Sequence, residues 1–140
     1  MDLPISKAEH QEDVKEHQNT AIEDIKVINR WDEYDLKTEL LRGIYAIGFE
    51  EPSQIQKTAI LPILEKRDLI AQAPSGTGKT GTFTIASLER VDIESNTTQV
   101  LILAPTHELV TQIAGVVSQI SNFMEGLRVK TLIGGTSVTD

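Results

Sequence analysis

The sequence predicts an α/β fold in three layers, an incomplete parallel sheet of about three strands with flanking helices. Two observations carry this. Apolar runs without polar alternation recur, and each is followed or preceded by a stretch with helical spacing of its apolar residues. Strands apolar on both faces belong to parallel sheets covered on both sides by helices. The first such run, "DLIAQ", leads directly into a glycine-rich loop, "APSGTGKT", from Ala73 to Thr80.

Taken in chain order, "LKTELLRGIYAIG" places Leu36, Leu40, Leu41, Ile44 and Ile47 on one helical face, with Gly48 as its stop. "PSQIQKTAILPILEKRD" predicts a second helix with Ser53 as N-cap, and Pro62 argues for a kink or break within it. "DLIAQA" is a buried strand, and "KTGTFTIASLERV" a helix turning Phe83, Ile85 and Leu88 inward. "TQVLILA" is a strand, "THELVTQIAGVVSQISNFM" a helix, and "LRVKTLIGG" a third strand ending in two glycines. In such sheets ligands sit at the carboxyl ends of the strands. All three strands end there in unusual sequence: the glycine-rich loop, "PTHEL" and "GGT".

At 140 residues, 39% of them hydrophobic, the chain has the size of one domain and the means to build a core. It has no cysteine, which excludes disulfides and thiolate metal sites. His10, His17 and His107 lack metal-ligand spacing. No run is long enough to span a membrane, and the start lacks a secretory pattern, so a cytoplasmic or nuclear protein is expected. The net charge of -8 is unevenly spread: residues 1–35 hold ten acidic and four basic side chains, the remainder eleven and nine. The acidity thus belongs to a leading segment, residues 1–30, expected as a solvated and disordered tail ahead of a body at 31–140.

The loop departs from the usual phosphate-binding pattern only in its first position, where Ala73 replaces glycine. Gly76 and Gly78 allow the backbone N–H groups to form a nest for phosphate oxygens. Lys79 brings a cation to the β- and γ-phosphates, Thr80 a hydroxyl for Mg²⁺, and the following helix its positive dipole end. An alanine is tolerated at 73 if that position needs no positive φ. A turn rich in glycine for steric reasons would explain Gly76 and Gly78, but not a Lys-Thr pair opening a helix behind a buried strand. The loop is therefore read as binding nucleotide through Ser75, Gly76, Thr77, Gly78, Lys79 and Thr80.

Upstream lie "GFEEPSQIQ", Gly48 to Gln56, and the isolated Trp31. With "APSGTGKT", "PTHEL" and "GGT", they form a series that resembles the N-terminal RecA-like domain of DEAD-box RNA helicases, whose loop commonly begins with alanine. "LLRGIYAIGFEEPSQIQ" is similar to the initiation factor 4A branch of that family, including its exon-junction and ribosome-assembly relatives. The resemblance runs from about Trp31 to the end of the chain. It implies ATP and Mg²⁺ as cofactors, single-stranded RNA as partner, protein cofactors of the initiation factor 4A type, and RNA-stimulated ATP hydrolysis with local duplex unwinding.

By this resemblance Gln56 contacts the adenine edge with its amide, Phe49 stacks on the purine, and Trp31 supports the pocket. Trp31 reads equally as plain core packing, and Gln56 could instead lie on a solvated helix surface. The resemblance also implies that Pro105, Thr106, His107, Glu108 and Gln112, with Gly134 and Gly135, hold the RNA sugar-phosphate backbone without reading sequence. His107 stands where the family has arginine, and Val110 where it has alanine. An imidazole neutral at pH 7 lacks the permanent charge and forked donors of a guanidinium, so weaker RNA contact is expected.

The Asp-Glu-Ala-Asp motif expected to hold Mg²⁺ through water and orient the attacking water does not occur in these residues. The chain is therefore read as a partial domain truncated before that motif, inactive alone, with Lys79 and Thr80 contributing to a catalytic site it does not complete. In the family's sheet, strands insert between "DLIAQ" and "VLILA", so a gap with apolar edges is expected. The rival reading is a non-enzymatic nucleotide- or RNA-binding fragment. A different P-loop kinase or GTPase is disfavoured, since neither carries "GFEEPSQIQ" upstream.

Overall fold

A computed structural model describes residues 26–135. Residues 1–25, and with them most of the expected acidic tail, lie outside the described residues. The packed body begins upstream of Trp31: Ile28 is buried, and its N–H donates to Lys57 O at 3.1 Å.

Among the described residues the order is a 3₁₀ turn, Trp31–Tyr34, then α1 (Thr38–Ala46), α2 (Gln54–Leu64), α3 (Lys79–Arg90) and α4 (His107–Ile120). Each helix falls within the stretch its periodicity marks. α1 buries Leu40 and Ile44 and ends where Gly48 takes φ 86°, a conformation that a Cβ disfavours. α2 runs unbroken through Pro62 and stops two residues later, at Leu64, so the expected break within it does not occur. In α3, Ile85 and Leu88 are buried while Phe83 is only partly so. At the start of α4 the Thr106 hydroxyl accepts from Leu109 N at 3.2 Å, satisfying one of the helix's unpaired amides.

The core joins the 3₁₀ turn to all four helices through Trp31, Leu40, Ile44, Ile60, Ile85 and Ile120, each essentially inaccessible to solvent. α1 crosses α4 at Gly43, where a Cβ would lie 1.8 Å from Ile120 O. α1 is also tied to the far end of α3. The Lys37 ammonium donates to the carbonyls of Leu88, Glu89 and Val91 at 3.3, 2.5 and 2.6 Å, and the Lys37 N–H to Glu89 Oε2 at 2.8 Å. Carbonyls left over at the end of α3 thereby find a cation.

The expected sheet finds no support in the described residues. Residues 68–73, 98–104 and 127–133 form no ladder, and no strand is present among the described residues. Ile70 is fully exposed, and Leu101, Leu103 and Leu132 are 77%, 82% and 71% exposed. A strand is defined only by a ladder to a neighbour about 4.8 Å away. A cleft of about 670 Å³ separates α3 and α4 from the segments around Leu101 and Val129. Thr84 lines it with a buried hydroxyl that has no hydrogen-bond partner. No described helix is long and apolar enough to cross a membrane.

Candidate functional site

The glycine-rich loop leads into α3 through two residues with positive φ, Gly76 at 77° and Gly78 at 100°. Ala73 is not among the residues with positive φ, so its methyl group costs nothing. The loop is closed on itself. Lys79 Nζ donates to Ala73 O and, at 3.1 Å, to Pro74 O, which also accepts from Thr77 Oγ1 at 2.7 Å. Ser75 is exposed, and Thr80, second in α3, is partly exposed.

Gln56 lies against this loop and not on a solvated surface; only 3% of it is exposed. Its Oε1 accepts from Ser53 N at 2.8 Å and its Nε2 donates to Gly78 O at 3.2 Å. These partners fix the orientation of the amide, because an N–H faces one end and a carbonyl the other. Gly78 O also accepts from Thr82 Oγ1 at 2.9 Å. Two glycines make room for the arrangement: a Cβ on Gly78 or Gly81 would lie 2.8 or 2.7 Å from Gln56 Nε2. At Gly81 the Phe49 ring is the next neighbour, 3.2 Å away at Cε2. The structure therefore gathers Phe49, Gln56 and the loop into one site.

Trp31 sits behind this site. Fully buried, it cannot touch a ligand, and its Nε1 donates to Phe49 O at 3.0 Å. Sequence reasoning missed its neighbour Tyr34, whose hydroxyl donates to Gln56 O at 2.9 Å. Burial, with the charge of Glu33 adding less, pushes the Tyr34 phenol up to about 12. An aromatic three residues after Trp31 was the available signal. Gly81 and Thr82 were also missed; a glycine inside a helix, where it costs stability, was the clue there.

The residues expected at RNA gather at the start of α4. Pro105, Thr106, His107, Glu108 and Gln112 are exposed, although the Thr106 hydroxyl already serves as the helix cap. Gly134 approaches from the 127–135 segment, and a Cβ there would lie 3.2 Å from His107 Nε2. Gly135 follows with φ 91°. His107 and the glycine pair thus share one surface.

Residues 53–140 match the DEAD/DEAH box helicase family model. An ATP-dependent RNA helicase eIF4A from Pyricularia oryzae is 52% identical over 129 residues, covering 92% of this chain and 32% of the relative. A DEAD box protein from the hyperthermophile Methanococcus jannaschii superposes with TM-score 0.75 at 31% identity, over 80% of this chain and 31% of the other. Saccharomyces cerevisiae Dbp5 bound to RNA and ADP BeF3 superposes with TM-score 0.64 at 44% identity, over 69% and 25%. The chain spans between a quarter and a third of the length of these relatives. Its fold is the P-loop, RecA-like one.

Proposed function

The chain belongs to the DEAD/DEAH box helicase family, and on that premise we propose that it supplies the ATP-binding site and one RNA-binding face of an ATP-dependent RNA helicase of the initiation factor 4A type. The observation that carries the reading is the seating of Gln56 on Gly78. It joins a base-reading amide to a phosphate-binding loop, as an adenine nucleotide requires.

The remaining capacity of Gln56 decides the base. An amide offers two N–H donors and two carbonyl lone pairs, and Ser53 and Gly78 use one of each. The other pair matches the N6 donor and N7 acceptor of adenine. Guanine presents two acceptors on that edge, O6 and N7, and would leave Oε1 facing one of them. Phe49 offers its ring to the purine. Phosphate binding draws Lys79 away from Ala73 and Pro74 toward the phosphate oxygens, while the amides after Gly76 and the start of α3 complete the cradle. Among the described residues no group of three His, Asp or Glu forms a metal site of its own. Mg²⁺ would accordingly be shared between Thr80 and the phosphates, its usual manner of binding. Bound ATP supplies a phosphoanhydride whose cleavage releases energy for opening short duplexes.

Single-stranded RNA is assigned to Pro105, Thr106, His107, Glu108, Gln112, Gly134 and Gly135, through its backbone and without sequence choice. The RecA-like domain is assigned to residue 28 onward, since Ile28 belongs to the packed core, and the residues before it to a tail; protein cofactors of the initiation factor 4A type are the expected partners, in cytoplasm or nucleus. The test is equilibrium binding of a fluorescent ATP analogue and of a uridine oligonucleotide to the chain. ATP binding that survives Lys79→Ala undiminished sinks the nucleotide assignment.

A further inference from the structure

Behind the base-reading pair stands one short element with two donors. In a 3₁₀ turn, with three residues per turn, side chains at i and i+3 lie one above the other. Trp31 and Tyr34 hold those positions, are both buried, and set their ring centroids 6.0 Å apart. Each extends its polar tip to a main-chain carbonyl: Trp31 to Phe49 at 3.0 Å, Tyr34 to Gln56 at 2.9 Å. Those carbonyls belong to the two residues assigned to adenine.

We propose that Tyr34 is a positioning residue for base selection, its hydroxyl setting through the Gln56 carbonyl where the Gln56 amide meets the base. The proposal rests on the adenine reading given above. Gln56 is anchored at three points: its main-chain carbonyl by Tyr34, Oε1 by Ser53 N and Nε2 by Gly78 O. The two side-chain anchors orient the amide plane. The main-chain anchor fixes the first turn of α2 from which the side chain springs. A bidentate contact requires both amide atoms at hydrogen-bond distance together, so small displacements of that turn weaken it selectively. A change that merely loosened the fold would weaken ATP and GTP binding alike.

The test compares Tyr34→Phe, which keeps the ring and deletes only the hydroxyl, with Gln56→Ala and the unmodified chain. Dissociation constants for fluorescent ATP and GTP analogues are measured with melting temperatures. Tyr34→Phe is expected to lower the ATP-over-GTP preference about two- to tenfold, the span of one neutral hydrogen bond. Tyr34→Met, lacking ring and hydroxyl, is the second variant and is expected to lower it at least as far. If both variants keep the preference while Gln56→Ala erases it, Tyr34 is structural only and the proposal is overturned, while the adenine reading stands. If the unmodified chain shows no preference, both are overturned.

Discussion

Gln56 Nε2 donates to Gly78 O at 3.2 Å, joining the first turn of α2 to the residue that caps α3. The bond joins two residues 22 apart in sequence, one proposed to read the base and the other to cradle phosphates. It also explains the glycine at 78 twice over, since that residue needs both φ 100° and the absence of a Cβ beside the amide.

Replacing Gln56 by alanine removes the base contact and this tie together. The expected outcome is loss of ATP-over-GTP preference, at ~1–3 kcal/mol for a bidentate base contact, measured by competition between the two nucleotides. Unchanged preference in Gln56→Ala would show that the amide does not face the base.

Tyr34 predicts an alkaline limit to stability. Its phenol is pushed up to about 12 in the folded chain, against about 10 for an unperturbed tyrosine. The folded state therefore holds this proton more tightly than the unfolded one. The stabilising contribution is fully present below pH ~10 and is lost as pH rises toward ~12. Urea midpoints measured across that interval should fall more steeply in the unmodified chain than in Tyr34→Phe. Equal slopes would mean that the phenol titrates as if it were exposed.

The helices and the loop were legible because their signals are local. Apolar spacing located α1 to α4, Ser53 marked the start of α2, and Gly76 to Thr80 declared the loop. What escaped depends on distant partners. Nothing in "WDEYD" shows that the Tyr34 hydroxyl reaches Gln56 O, and nothing in "LLRGIYA" shows that Gly43 meets Ile120 O. The strands were not legible for the same reason: apolarity in "VLILA" marks a segment that can be buried, whereas a ladder needs a neighbour alongside. The break expected at Pro62 does not occur: the missing N–H costs α2 one bond, to the carbonyl four residues back, and the helix continues to Leu64.

The crossing of α1 and α4 gives a stability prediction. A methyl group at Gly43 would stand 1.8 Å from Ile120 O, and backbone cannot yield as a flexible side chain can. Gly43→Ala should destabilise the chain by ~1–3 kcal/mol, as overpacking does, despite alanine's better helix propensity. Urea denaturation followed by circular dichroism measures it; a gain in stability would contradict the close approach.

Ile70, Leu101, Leu103 and Leu132 expose apolar surface on segments without a ladder. Such segments pair readily with other chains. The isolated polypeptide should associate and bind a hydrophobic dye. Leu101→Lys with Leu103→Lys should reduce both light scattering and dye fluorescence. If neither signal responds, those side chains are covered in solution.

The last prediction concerns the surface shared by His107 and Gly134. Arginine would bring a permanent charge with forked donors suited to phosphate, which a histidine lacks. His107 is exposed at the first position of α4, and a Cβ on Gly134 would stand 3.2 Å from its Nε2. His107→Arg should therefore tighten binding of a uridine oligonucleotide and steepen its salt dependence. The slope of log K against log salt is expected to change by ~0.7, the value for one added contact to a single strand. Affinity without a change of slope would mean that arginine acts by packing and not by phosphate contact. Neither changing would show that this end of α4 does not meet RNA, and the RNA assignment of His107 would have to be abandoned.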